Sequence, residues 1–231
     1  MTPRQRSARF AATTAALRLQ VRIAGMRAAR QVDPQHRSIV VIDMADFGRR
    51  TDLAQLHART SLDRVVNAAF RASEIAWHRL VNEDRGDGMI VFIPATVSKA
   101  VLLHPFLPQL ITRLRDYNAQ VGAGHRIRVR VAVHAGEVVH GPHGWIGTDL
   151  NFACRLVDSA PLYQALARQT QSDVAVAVSE VIHQAVVRHG HRGIDPASYK
   201  PVHVAVKEVA TRAWIHVPAE HVSANNHGMS A

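Results

Sequence analysis

The run Ser38-Ile39-Val40-Val41-Ile42 is apolar without alternation and stops at a carboxylate, Asp43. A strand of that pattern is buried on both faces, so it belongs in the middle of a sheet with a layer of structure on each side. The residues that follow must supply those layers. From Ser61, the residues Leu62, Val65, Val66, Ala69, Phe70, Ala76 and Trp77 recur at helical spacing with Ser73 on the same face, which predicts an amphipathic helix to about His78. Leu80-Val81 and Met89 to Ile93 then flank Asp84-Arg85-Gly86-Asp87-Gly88, a hairpin whose turn contains Asp-Gly. Phe106, Leu107, Leu110, Ile111, Leu114 and Tyr117 predict a second helix, with Pro105 and Pro108 in its first turn. From Arg126 to His134 the pattern alternates, with Ile127, Val129, Val131 and Val133 on one face, as in a half-covered antiparallel strand.

Strand, helix, hairpin, helix, strand is the split order of an α+β, ferredoxin-like βαββαβ core. Extra C-terminal elements follow: a helix from about Asp149, a strand Val174–Val178, a helix after Ser179, and a hairpin pairing Val202–Lys207 with Ala213–Val217. We therefore expect one domain over 38–217, a basic arm over 1–37 and a disordered tail over 218–231.

Charge is unevenly spread. The net charge is +10, yet residues 1–30 hold seven arginines and no Asp or Glu, leaving 21 basic against 18 acidic groups in the rest. The arm reads as a solvated helix over Ala12 to Arg30, with nucleic-acid or membrane contact disfavoured because the body carries no basic stripe interleaved with aromatics. One cysteine, Cys154, makes no internal disulfide, which points to the cytoplasm. No apolar run approaches the ~18 residues that a spanning helix needs.

Two carboxylates stand out for chemistry. Asp43 ends a buried strand and Asp87 lies in a hairpin turn, positions that a βαββαβ sheet can bring side by side to share a hard divalent cation. Singly, each is more ordinarily a helix cap or a turn former. In Gly147-Thr-Asp-Leu-Asn151-Phe-Ala-Cys-Arg155, Asn151 and Arg155 stand at i and i+4 on one helical face, with Leu150, Ala153, Cys154 and Val157 on the buried one. An Asn that orients a hydroxyl and an Arg that meets a phosphate oxygen suit phosphoryl transfer. His134, His140 and His143 lack zinc-site spacing, and Cys154 reads as packing. Neither a Walker nor a Rossmann glycine motif occurs.

Three blocks, Val40-Val-Ile-Asp43-Met-Ala-Asp-Phe47, Arg85-Gly-Asp87-Gly-Met-Ile-Val-Phe92, and Val131-Ala-Val-His-Ala-Gly-Glu-Val138 with Gly147 to Arg155, resemble the class III nucleotidyl cyclase catalytic domain. The resemblance spans about Ser38 to Val217. It implies the class III cyclase fold and a lyase that closes an NTP to a 3′,5′-cyclic nucleotide with release of pyrophosphate. It further implies two divalent metal ions (Mn²⁺ or Mg²⁺) held by Asp43, Asp87 and the backbone of Met44. Catalytic Asn151 and Arg155 would come from the other subunit of a homodimer, and Phe47, Glu83 and Lys207 would contact the nucleotide.

Departures from the family pattern bear on substrate. The family's phosphate loop usually has Gly where this chain has Asp46 and Thr where it has Gly48. Of the two base-reading positions, one is Glu83, as in guanylate cyclases, and the other falls on Gly144, in a loop shortened between Glu137 and Trp145. A short catalytic domain without the purine pair resembles the bacterial antiphage pyrimidine cyclases (Pycsar-type), which implies UTP or CTP as substrate and a separate cyclic-nucleotide-responsive effector. A general-signalling guanylate or adenylate cyclase and an inactive nucleotide-binding relative are the alternatives.

Overall fold

The computed structural model describes residues 33–218. The arm helix expected over Ala12 to Arg30 and the tail from His221 lie outside the described residues. Among those described, β1 (Gln35–Met44), β2 (Val81–Asp84), β3 (Gly88–Pro94), β4 (Val129–Gly141), β6 (Val174–Ser179), β8 (Val209–His216) and β7 (Lys200–Val206) form one sheet in the order β2-β3-β1-β4-β6-β8-β7, and β5 (Gly144–Ile146) pairs with the end of β4. Only the β4–β6 pairing is parallel. The first four strands reproduce the ferredoxin-like core, and the later elements extend it past β4.

Five helices of six residues or more cover the sheet: α1 (Asp52–Ala72), α2 (Leu107–Gln120), α3 (Thr148–Val157), α4 (Ala160–Arg168) and α5 (Glu180–Ala185). Because strand side chains alternate, β1 feeds two cores. Val40, Ile42 and Met44 pack with Leu62, Val66 and Phe70 of α1 and Leu110 and Leu114 of α2. Ile39 and Val41 pack with Leu150, Ala153 and Val157 of α3 and Leu162 and Leu166 of α4. No helix among the described residues is long and apolar enough to cross a membrane.

Three local expectations need correction. The first helix starts at Asp52 and ends at Ala72, six residues short of His78. There the Ser73 hydroxyl donates back to the Ala69 carbonyl (2.8 Å) and Glu74 turns left-handed at φ 61°, so Ala76 and Trp77 pack from a separate short turn. β4 begins at Val129 and is buried on both faces, not half-covered, because α3 and α4 cover the face that holds Arg130, Ala132 and His134. Cys154 is half-buried, and Leu156 takes the core position expected of it.

Candidate active site

β1 carries Asp43 at the edge of the sheet's central layer, where it stands opposite Gly88 of β3 and Arg130 of β4. The Met44 N–H donates to the Asp87 carbonyl at 2.9 Å, which ties the hairpin turn to the end of β1. The reciprocal bond is not made. The Asp87 N–H turns back to the Arg85 carbonyl (3.0 Å), leaving the Met44 carbonyl without a donor from that turn. The end of β1 and the hairpin turn are thus neighbours, and the Asp87 charge acts on Asp43. Burial pushes the Asp43 carboxyl up from its ordinary value; Arg130 opposes the shift, and the nearby Asp87 and Asp158 add to it. A carboxylate so placed gains from a cation. Among the described residues no group of three or more acidic, His or Cys side chains that could hold a metal ion is found.

Arg130 was not singled out from the sequence. In an alternating strand it reads as solvent-facing, yet it is buried, its guanidinium hydrogen-bonds Asp43, and it lies 3.7 Å from the Tyr163 ring centroid of α4. Its pairing with Asp43 is legible only once β1 and β4 are known to be neighbours. Beside it, Met44, Phe47, Asp87, Arg130 and Tyr163 contribute to a cleft of about 390 Å³. Arg128, also in the wall, is committed to structure, since it donates to the carbonyls of Leu166, Gln169 and Ser172 at the end of α4.

The turn after β1 explains one departure. Asp46, where the family has Gly, adopts φ 57°, the left-handed region that glycine enters freely and Asp tolerates. Its carboxylate is exposed and stands 3.6 Å from the Arg49 guanidinium, within its own turn. The N–H groups of Phe47 and Gly48 have no hydrogen-bond partner among the described residues.

Glu83 and Gly144, the two positions at which the resemblance implies base reading, meet. A Cβ on Gly144, which sits at φ 109°, would lie 2.8 Å from Glu83 Oε1. Glu83 is already engaged: it accepts from the Trp145 N–H (3.0 Å) and stands 3.5 Å from the Arg85 guanidinium. The shortened loop is a tight hairpin, with His140 opposite Trp145 and Gly141 opposite Gly144. Asn151 is exposed on α3 with no side-chain hydrogen bond among the described residues, while Arg155 is half-buried and pairs with Glu208 (3.3 Å). Lys207 is exposed in the β7–β8 turn at φ 50°. The charged groups that act on Asp43 are Arg130, Asp87 and Asp158, and Arg155 and Lys207 in turn act on Asp158.

His134 is structural. Its two ring nitrogens face Ser179 Oγ (2.9 Å) and Asp149 Oδ1 (3.1 Å), and the second Asp149 oxygen accepts from the Glu137 N–H (2.6 Å). Burial lowers the affinity of His134 for a proton, with Asp149 opposing, and burial does the same at His216, where the Ser198 carbonyl opposes. Both groups titrate below the ordinary 6.5 in the folded chain, so the unfolded chain takes up protons first. Their contribution to stability is complete above about pH 6.5 and is lost as the pH falls below it. Thermal melts are expected to show a Tm that declines from pH 7 to 5.5, with a shallower decline in His134→Gln. A Tm that rises over that interval contradicts this account.

No family model matches the chain, and no curated protein sequence matches it. Solved structures do. An adenylate/guanylate cyclase/hydrolase from Silicibacter pomeroyi superposes with a TM-score of 0.60 at 18% identity, over 82% of this chain and 100% of that one. The guanylate cyclase domain of RhGC from Catenaria anguillulae, in complex with GTP, gives 0.52 at 13% identity over 80% and 97%. A bacterial light-regulated adenylyl cyclase gives 0.54 at 13% over 79% and 90%. This is the class III cyclase fold. Nearly the whole length of each of those chains is matched, so the likeness extends over the fold as a whole despite the low identity.

Proposed function

We propose that this chain is a nucleotidyl cyclase that converts an NTP to a 3′,5′-cyclic nucleotide and pyrophosphate. The observation that carries the reading is the Met44–Asp87 backbone bond in a cyclase fold, which sets the Asp87 turn against the end of β1, with Met44 and Asp87 lining the cleft and Asp43 next to Met44 in the chain. Divalent cations, Mn²⁺ or Mg²⁺ and two per site, would be held by Asp43, Asp87 and the Met44 carbonyl, and when bound they supply the positive charge that acidifies the ribose 3′-hydroxyl and screens the triphosphate. The 3′-oxygen attacks the α-phosphorus, the bond to the β-phosphate oxygen breaks, pyrophosphate leaves, and the hydroxyl proton passes to solvent.

The chain's own residues bind and orient. Arg130 places a fixed cation at the cleft, and the free N–H groups of Phe47 and Gly48 face phosphate oxygens, with Lys207 adding charge. Asn151 orients the ribose and Arg155 meets the transferring phosphoryl group. Releasing Arg155 from Glu208 costs little, because the carboxylate end of that pair is exposed. As the resemblance implies, we read the site as shared across a head-to-tail homodimer, with Asn151 and Arg155 supplied by the other subunit. Mixing Asp43→Ala and Arg155→Ala protein then restores turnover to about a quarter of wild type, because half the dimers are mixed and each has one intact site of two. Failure to rescue with mixed dimers present refutes the shared site.

For the base we infer a pyrimidine, UTP or CTP, with the product read by a separate effector in antiphage defence. Gly144 offers no side chain, and the Glu83 carboxylate is held by Trp145 and Arg85. Incubation of the protein with all four NTPs and Mn²⁺ or Mg²⁺, resolved by mass, tests this. Cyclic UMP or CMP is expected; cyclic GMP assigns Glu83 to guanine and general signalling. An inactive nucleotide-binding regulator is the second reading, favoured by the Arg130 guanidinium on Asp43, and a folded dimer with no product from any NTP selects it.

A further inference from the structure

On the sheet face opposite α3, a groove of about 570 Å³ runs between α1 and α2 and is lined by Arg64, Asn67, Ala68, Arg71 and Ala72 of α1 and Arg113 of α2. Arg64 and Arg71 lie two turns apart on one side of α1, and Arg113 faces them from the neighbouring helix. No carboxylate lines the groove, and none of the three guanidinium groups has an acidic partner among the described residues. The acids on the same helices do not relieve them: Asp63 is held by Arg59, and Asp52, at the far end of α1, and Asp116, one turn from Arg113, make no ion pair among the described residues. Arg113 is half-buried, and its Nε is shut off from solvent without a hydrogen-bond partner. Three like charges lining one groove cost free energy that a bound anion removes.

We propose that this groove binds a small phosphorylated anion, one bearing at least two negative charges, at a site separate from the nucleotide cleft. Guanidinium forks from two helices can grip adjacent phosphate oxygens, and Asn67 adds an amide donor or acceptor beside them. The two small alanines leave room for the ligand to reach Arg113. Because the groove rests on α1 and α2, which also pack under β1 and β3, an anion there stiffens the layer that carries Asp43 and Asp87.

The probe is pyrophosphate, titrated calorimetrically into the full-length protein at fixed ionic strength with EDTA present, so that divalent cations do not contribute. Saturable one-to-one binding is expected, weakened by about tenfold or more in Arg64→Gln/Arg113→Gln and unchanged in Arg115→Gln, a control on the same helix outside the groove. If the double variant fails to fold by circular dichroism, Arg64→Gln alone, at an exposed position, serves with the same expectation. No saturable binding, or equal binding by wild type and the groove variants, overturns the proposal. So does binding to phosphatidylglycerol vesicles that depends on Arg64 and Arg113 while pyrophosphate does not bind.

Discussion

On the proposed function, Asp43→Ala is expected to lower cyclic-nucleotide formation by about 10³-fold or more and to leave the proposed dimer intact, since a metal-held transition-state charge would be worth several kcal/mol and each 1.36 kcal/mol is tenfold in rate. The substitution also strands Arg130, a buried cation whose hydrogen-bonded partner is Asp43. Asp43→Asn separates the two effects, because it keeps an oxygen for Arg130 and removes the charge. Both variants are to be assayed for product by mass, with size and melting temperature recorded beside. If catalysis rests on the carboxylate, Asp43→Asn is as inactive as Asp43→Ala but melts closer to wild type. Near-normal turnover in Asp43→Asn would refute the metal assignment outright.

Gly88→Ala is expected to be the most damaging small substitution in the fold. Gly88 pairs with Asp43 across β1 and β3, and a Cβ there would overlap the Ile42 carbonyl oxygen and crowd the Asp43 Cα at 3.0 Å. These are backbone atoms of a central strand, so neither can swing aside as a side chain does. Relief requires the β2–β3 hairpin to lift from β1, which breaks the Met44–Asp87 bond and moves Asp87 off the cleft. The expected loss is about 3 kcal/mol or more, from the cost of overpacking a closed core, or a fall in Tm of roughly 6–12 °C for a domain of this size. Gly86→Ala is the companion variant. Gly86 sits at φ 79° but has open space around its Cα, so only backbone strain of about 1 kcal/mol is added. Similar melting temperatures for the two variants would show that the close approach at Gly88 is not what holds the hairpin to β1.

Much of the architecture could be read from residue pattern. The continuous run at 38–42 marks a central strand, the spacing of Leu62 to Phe70 marks the face of α1, and Asp84 to Gly88 marks the hairpin turn, because each follows from side-chain direction within a few residues. Asp43 and Asp87 stand out as carboxylates at a strand end and in a hairpin turn, and Asn151 and Arg155 as a polar pair at i and i+4 on one helical face. Helix limits were less legible. The stop at Ala72 depends on the hydroxyl of Ser73 and the left-handed turn of Glu74, neither of which breaks hydrophobic periodicity.

Arg130, the groove between α1 and α2, and the state of Glu83 depended on contacts across the chain. Arg130 alternates with valines as a solvent-facing residue would, and it is buried only because Tyr163 and the rest of α4 close over that face from thirty residues away in the chain. Glu83 carries the side chain of a base reader, but the tight β4–β5 hairpin swings the Trp145 N–H onto its carboxylate. Local periodicity records which way a side chain points from its own strand or helix. What meets it there is set by strand order and helix docking, which arise from burial summed over the whole sheet and leave no mark at any single position.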